Sequence, residues 1–84
     1  MTNTNKYSDQ KAENHFYFVE TCEKFQQNAT TENGCDSLHE VYEYLTSLGY
    51  PEYVKDSAIQ NMQFDDTDYR IKISLLKESR PSNF

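Results

Sequence analysis

The most regular apolar pattern in the chain lies between residues 37 and 48. Its apolar residues recur three and four positions apart, as on one face of an α-helix: Leu38, Val41, Tyr42, Leu45 and Leu48. Ser37 and Glu40 have the spacing of a capping box, in which each side chain bonds the other's backbone N–H. Gly49 stands where a left-handed residue ends many helices, and Pro51 follows as a stop. The sequence therefore predicts a helix over residues 37–48.

The C-terminal part of the chain alternates between apolar and polar residues. Tyr69, Ile71, Ile73 and Leu75 would point to one side of a strand over residues 69–76. The pattern favours a partner strand over residues 57–64, with residues 65–68, Asp-Asp-Thr-Asp, as the turn of a β-hairpin. Val54, Ala58 and Met62 are spaced by four, however, so a helix over residues 51–62 is the alternative.

Residues 13–27 fit two structures. The run from His15 to Val19 is aromatic and β-branched, which suits a strand. Phe18, Cys22 and Phe25 are spaced for one face of a helix instead. Length and charge content favour the helix, whereas a strand would give the hairpin a third partner. Both interpretations predict an α+β fold: the helix over 37–48 packed on a C-terminal antiparallel hairpin, with an N-terminal helix or strand.

A chain of 84 residues with 36% hydrophobic residues and a mean hydropathy of −0.95 forms one small domain. We expect a flexible N-terminal arm over residues 1–10, the domain over residues 11–77, and a flexible tail over residues 78–84. No apolar run is long enough to span a membrane, and the N-terminus lacks the apolar core of a secretory signal. The expected location is the cytoplasm. Nothing in the sequence specifies an oligomeric state.

The charge distribution predicts the chemistry of a partner. The net charge is −6, and from Glu13 to Asp68 twelve acidic residues stand against only Lys24 and Lys55. An acidic surface repels nucleic-acid phosphates and attracts basic protein surfaces. We therefore expect a basic protein partner and no direct binding of nucleic acid. Only the basic residues after position 69 would favour direct binding of nucleic acid.

No catalytic or metal-binding signature is complete. Zinc is bound by cysteine and histidine, and the chain has four such residues: His15, Cys22, Cys35 and His39. Along a helix, however, Cys22 would stand roughly 10 Å from His15, too far for both to bind one ion. A zinc-binding domain is therefore a hypothesis of low weight. The Cys35 and His39 pair lacks a third residue to orient it, and Asp36 disfavours a thiolate. The acidic run at 65–68 lacks the glycine and late glutamate of a calcium loop. We expect no enzyme activity, no metal and no cofactor.

A mixture of tyrosines and carboxylates in the middle of the chain is the best candidate for a binding surface. It comprises Glu40, Glu43, Tyr44, Tyr50, Glu52, Tyr53 and Asp56. Tyrosines supply rigid contact area at interfaces, and carboxylates around them would steer a basic partner. The alternative is that the tyrosines fill a small core.

These features favour a small acidic protein-binding module. By analogy of charge and size, it would be a stoichiometric inhibitor or neutraliser of the immunity, antitoxin-like or phage anti-defence type, directed against a basic protein such as a nucleic-acid-acting enzyme. The alternative function is an accessory or docking subunit of a larger assembly.

Overall fold

The computed structural model describes residues 6–26 and 29–77. In chain order the elements are β1 (His15–Glu23), a short 3-10 helix (Lys24–Gln26), β2 (Ala29–Cys35), α1 (Leu38–Ser47), α2 (Glu52–Asn61), β3 (Gln63–Asp65) and β4 (Tyr69–Lys77). The strands form one antiparallel sheet in the order β2-β1-β4-β3, and both helices lie between β2 and β3 in the chain. The predicted α+β class and the C-terminal hairpin are confirmed.

The two longest strands form the centre of the sheet. β1 and β4 pair over their full lengths, from His15 opposite Lys77 to Glu23 opposite Tyr69. β2 pairs with the outer side of β1, and the short β3 pairs with the outer side of β4. The edge strands β2 and β3 therefore lie on opposite sides of the molecule.

The helices cover one side of this sheet. Val19 and Thr21 of β1 and Ile71 and Ile73 of β4 are buried on that side, against Val41 and Leu45 of α1 and Val54, Ala58 and Ile59 of α2. Successive strand residues point to opposite faces, so Phe18, Glu20 and Lys72 point away from the helices. Among the described residues, no element covers this second side, which we call the open face.

The α1 helix forms where the sequence predicts it. Ser37 Oγ accepts a hydrogen bond from the Glu40 N–H at 3.2 Å. The Glu40 carboxylate caps the N–H of Asp36 at 2.9 Å, one residue earlier than in the predicted capping box. Gly49 adopts the left-handed conformation with φ of 90°, which a side chain would strain. Within the predicted apolar stripe, Val41 and Leu45 are fully buried.

Residues 13–27 contain a strand, so the favoured helix is wrong and the strand alternative is correct. Three aromatic residues and a valine suit the pleated backbone, and β1 bonds to a neighbour on each side. This pairing satisfies backbone groups along both edges of the strand. It outweighs the helical spacing of Phe18, Cys22 and Phe25.

The strand predicted over residues 57–64 is also wrong for most of its length. The alternative helix is correct: α2 runs from Glu52 to Asn61, and β3 begins only at Gln63. Pro51 follows α1 and also stands at the N-cap of α2. Its extended backbone, at φ −62° and ψ 157°, suits the residue before a helix. Met62 ends α2 with φ of 62°. The predicted acidic turn is present, since Asp66 Oδ1 accepts the N–H groups of Asp68 and Tyr69, each at 2.8 Å.

β2 has no counterpart among the predicted elements. Residues 29–34 are all exposed, so this edge strand carries no apolar alternation that could have revealed it. Of the predicted N-terminal arm, residues 6–10 are described, and the His39 N–H donates to the Ser8 carbonyl at 2.9 Å. The predicted tail at 78–84 lies outside the described residues, as do residues 1–5. In the described chain, neither helix is long and apolar enough to cross a bilayer.

Candidate protein-binding surface

The seven residues of the predicted binding surface lie in four different places. Three are on the outer side of α1, two are at the junction of the helices, one is in the core, and one is on the outer side of α2. Each group has different partners and a different charge balance. The groups therefore differ in what they offer to another protein.

The outer side of α1 presents two carboxylates and a tyrosine beside the edge strand β2. Glu40 and Glu43 are exposed, and Glu43 Oε2 lies 3.6 Å from Nε2 of His39. Tyr44 is half-buried, and its hydroxyl donates to Thr31 Oγ1 of β2 at 2.8 Å. This bond ties the ring to the sheet edge. We call Glu40, Glu43 and Tyr44 the α1 flank.

The strand next to the α1 flank is accessible and polar. Its residues 29–34 are exposed, and they include the carboxylate of Glu32. An edge strand leaves one row of backbone N–H and C=O groups without a strand partner. The α1 flank therefore adjoins backbone groups that another protein could bond, whereas Glu32 points to the open face.

Glu52 and Asp56 form an ion-pair network with residues from three segments of the chain. Lys6 Nζ contacts Glu52 and also Asp56 Oδ2, the latter at 2.9 Å. The Tyr42 hydroxyl donates to Glu52 Oε2 at 2.6 Å, and the Tyr7 hydroxyl donates to Asp56 Oδ1 at 2.7 Å. These contacts join residues 6–7 to both helices.

The same contacts change the acidity of both carboxyls. Hydrogen bonds from Lys6, Tyr42 and Lys55 lower the pKa of Glu52 from 4.5 to about 2. Bonds from Tyr7 and then Lys6 lower the pKa of Asp56. Both groups are ionised at neutral pH, but the cations beside them balance much of their charge. They attract a distant basic surface less than the α1 flank does.

The buried side chain of Lys55 adds a second cation to this junction. Its Nζ donates to Thr46 Oγ1 at 2.9 Å and lies 3.2 Å from Glu52 Oε1. It also lies 4.4 Å from the centroid of the Tyr42 ring, a cation–π contact. The ammonium group thus has partners on α1 and α2, as a buried charge requires.

Two of the predicted tyrosines do not join the α1 flank. Tyr50 is only 5% exposed and packs edge-on against Tyr69, with 4.8 Å between ring centroids. Tyr53 is 64% exposed and packs edge-on against Phe64 of β3 at 6.3 Å. Since β3 and β2 are opposite edges of the sheet, Tyr53 and Tyr44 lie on opposite sides of the helical layer. A partner that touched both would have to span both helices.

The cysteines and histidines considered as zinc ligands point to different sides of the sheet. Cys35 is buried beneath the helices, whereas Cys22 is half-buried on the open face. Burial raises the pKa of the Cys35 thiol, and neither cysteine is in a disulfide. Within residues 6–26 and 29–77, no three His, Cys, Asp or Glu side chains come together to hold a metal.

The open face is a feature that the sequence interpretation missed. A depression of about 270 Å³ lies on it across β2, β1 and β4, bordered by Glu20, Glu32, Arg70 and Lys72. At the other end of the face, the Phe16 ring lies over Gly34, where an added Cβ would meet it at 3.4 Å. Had residues 15–23 been assigned to a strand, the alternating direction of its side chains would have placed Phe16, Phe18 and Glu20 together on one face.

Comparisons with protein-family models, curated proteins and solved structures found no match to this chain.

Proposed function

We propose that this protein is a small acidic protein-binding module that acts in the cytoplasm as a stoichiometric inhibitor or neutraliser of a basic protein. The observation that carries the proposal is the α1 flank, where two exposed carboxylates border a tyrosine anchored to an exposed edge strand. The module needs no catalytic group of its own. It acts by covering a basic surface.

The charges of the α1 flank suit the capture of a basic partner. Glu40 and Glu43 lie one helical turn apart, and no lysine or arginine forms an ion pair with either among the described residues. Uncompensated carboxylates attract an oppositely charged surface over roughly 8 Å at physiological ionic strength and speed its association. An enzyme that acts on nucleic acid has such a surface where it binds phosphates. Carboxylates at phosphate positions would compete with its substrate.

Tyr44 supplies contact area within this charged surround. Its hydroxyl is held by Thr31, so little side-chain entropy remains to be lost on binding. Partly buried tyrosines of this kind often contribute much of an interface's affinity. Glu52, Asp56 and Tyr53 would form the periphery of a larger contact.

The alternative function is an accessory or docking subunit, and the exposed edge of β2 favours it. A strand of a larger assembly could pair with this edge and extend the sheet. Such docking would depend on backbone bonds more than on charge. It would therefore be less sensitive to removal of the carboxylates.

Affinity capture from the native cell distinguishes the two functions. The bait is the full chain, compared with the double variant Glu40→Gln, Glu43→Gln, in which the new amide oxygen at position 40 can still accept the Asp36 N–H. The matched control removes two exposed charges elsewhere, by Glu13→Gln and Asp68→Asn. One basic protein in 1:1 ratio, lost with the flank variant and kept with the control, supports neutralisation. A multisubunit complex that both variants retain would support the accessory role instead.

A further inference from the structure

The open face has a regular arrangement across its two central strands. In register, Phe16 of β1 lies opposite Leu76 of β4, and Glu20 lies opposite Lys72. Apolar residues thus face apolar residues at one end of the face. Acidic and basic residues face each other toward the other end. We propose that two copies of this chain pair through their open faces, as an isologous dimer.

The proposal follows from the symmetry that a dimer of identical faces must have. A two-fold axis that lies in the interface and runs parallel to the strands, between β1 and β4, places β1 of each copy over β4 of the other. Each residue then meets the register partner of its counterpart. Phe16 packs on Leu76 of the second copy, and Glu20 lies over Lys72 of the second copy, each contact occurring twice. The open face is therefore complementary to itself at these two pairs, whereas Phe18 would lie over Ser74 of the second copy.

Three of the charges on this face are not neutralised within one chain, although Arg70 Nε lies 3.5 Å from Asp65 Oδ2 of the same chain. Glu20 lies opposite Glu32 of β2 as well as Lys72, and like charges on adjacent strands repel. Among the described residues, no ion pair includes Glu20, Glu32 or Lys72. A second copy placed as above brings its own Lys72 to this acidic pair.

The depression on the open face is placed to receive these cations. It extends across β2, β1 and β4, with Glu20 and Glu32 at its acidic side and Arg70 and Lys72 of the same chain at the other. The two-fold axis that sets Lys72 of the second copy over Glu20 also sets Arg70 of that copy over Cys22, inside the same depression. Lys72 of the second copy would reach the acidic side of this hollow, where Glu20 and Glu32 lie. The hollow and the projecting side chains then belong to one self-complementary surface.

The apolar end supplies the hydrophobic part of the contact. The Phe16 ring packs edge-on against Phe18 at 6.5 Å, and Leu76 is 41% exposed. Strands of 9, 9, 7 and 3 residues, at about 3.4 Å per residue and about 4.8 Å apart, give a face of about 460 Å² on each copy. This area is at the small end for a stable interface, so we expect dissociation in the micromolar range. The α1 flank lies on the other side of the sheet and stays accessible, so a dimer presents two flanks.

Sedimentation equilibrium at physiological salt, across micromolar concentrations, tests the proposal with paired charge reversals. E20K alone sets lysine against Lys72 of the second copy, and K72E alone sets glutamate against Glu20. We expect each variant to dissociate at least about tenfold more readily than the wild type. Mixed together, the two variants should form a heterodimer, because every charge across the interface is then complementary again. Within each chain the like charges remain, so recovery on mixing cannot arise from a repaired fold.

E43K is the matched control, since it makes the same charge change on the opposite side of the molecule. It should dimerise like the wild type. Leu76→Lys, at the end of the sheet, provides a second route if a charge reversal unfolds the chain, and it should also weaken the dimer. A wild type that is monomeric at every concentration would overturn the proposal. So would folded E20K and K72E chains that stay monomeric when mixed.

Discussion

The hydroxyl of Tyr7 donates a 2.7 Å hydrogen bond to Oδ1 of Asp56, which joins the segment before the sheet to α2 at the junction of the helices. The Tyr7 ring also packs against Tyr42 of α1, with 5.5 Å between centroids. Asp56 and Glu52 were predicted to attract a partner. In the folded chain these two carboxylates bind Lys6 and Tyr7 and so hold residues 6–7 against the helices.

Removal of the Tyr7 hydroxyl should change the titration of Asp56. Tyr7 is the largest cause that lowers the pKa of Asp56, ahead of Lys6. We therefore expect Tyr7→Phe to raise this pKa toward its ordinary value of 3.8, as followed by the NMR shift of the Asp56 carboxyl carbon. Tyr53→Phe is the control, because the Tyr53 ring packs on Phe64 instead. An unchanged Asp56 titration in Tyr7→Phe would show that the bond does not persist in solution.

The Glu52 network should make the fold sensitive to acid. A carboxyl whose folded pKa lies below its unfolded value stabilises the fold above the unfolded pKa, and this stabilisation is lost as the pH falls through the folded pKa. For Glu52 the window runs from 4.5 down to about 2. We expect the melting temperature to fall across this window. Lys6→Met, which removes the largest cause of the shift, should make the fall shallower.

Lys11→Met is the matched control for that measurement. Lys11 lies 3.7 Å from Asp36, and both side chains are more than half exposed, so its loss should leave the acid profile unchanged. Identical profiles for Lys6→Met and the wild type would contradict the role assigned to Lys6. Melting curves recorded by circular dichroism at several pH values provide the comparison.

Truncation of Leu45 should destabilise the whole domain. Leu45 is fully buried between the sheet and α2, and loss of such a side chain costs about 2–5 kcal/mol. A small domain has little more stability than this to lose. We expect Leu45→Ala to be largely unfolded in thermal melts. Ser47→Ala is the control at an exposed position on the same helix, and it should melt close to the wild type. Equal melting of the two variants would refute the assignment of Leu45 to the core.

The N-terminal cap of α1 should be sensitive to Ser37 and tolerant of glutamine at position 40. Ser37 is buried and accepts the Glu40 N–H, so Ser37→Ala should cost about 1 kcal/mol. Glu40→Gln keeps an oxygen that can accept from Asp36, so it should cost less than Glu40→Ala. Chemical denaturation measures the differences. Equal losses for the two substitutions at position 40 would show that the bond to Asp36 contributes nothing.

The sequence was informative where several local signals coincided and misleading where tertiary pairing decided the structure. For α1, the Ser37 cap, the apolar stripe and the left-handed Gly49 all indicated one helix. For β1, Phe16 and Phe18 are apolar on the open face while Tyr17 and Val19 are apolar beneath the helices, so the expected alternation disappeared. Pairing of β1 with β4, far away in the sequence, could not be inferred from local spacing.

The candidate surface was only partly predictable for a related reason. Tyr44, Tyr50 and Tyr53 are close in the sequence, and their shared chemistry suggested one patch. The turn from α1 into α2 sends them to the β2 edge, the core and the β3 edge, respectively. The direction of that turn depends on how both helices pack on the sheet. No local pattern specifies it.

The last prediction concerns the rates at which a basic partner binds the α1 flank. Steering acts on association, whereas short-range contacts act mainly on dissociation. Glu40→Gln with Glu43→Gln should therefore slow association at low salt and have little effect at high salt, where steering is screened. Tyr44→Ala should speed dissociation, and Tyr44→Phe should do so less, because it keeps the ring and loses only the bond to Thr31.

Stopped-flow or surface-binding kinetics over a range of salt concentrations would separate these effects. Tyr53→Ala serves as the comparison on the opposite side of the helical layer, and it should change dissociation less than Tyr44→Ala if the α1 flank is the centre of the contact. Equal association of the double glutamine variant and the wild type at low salt would exclude steering by this flank.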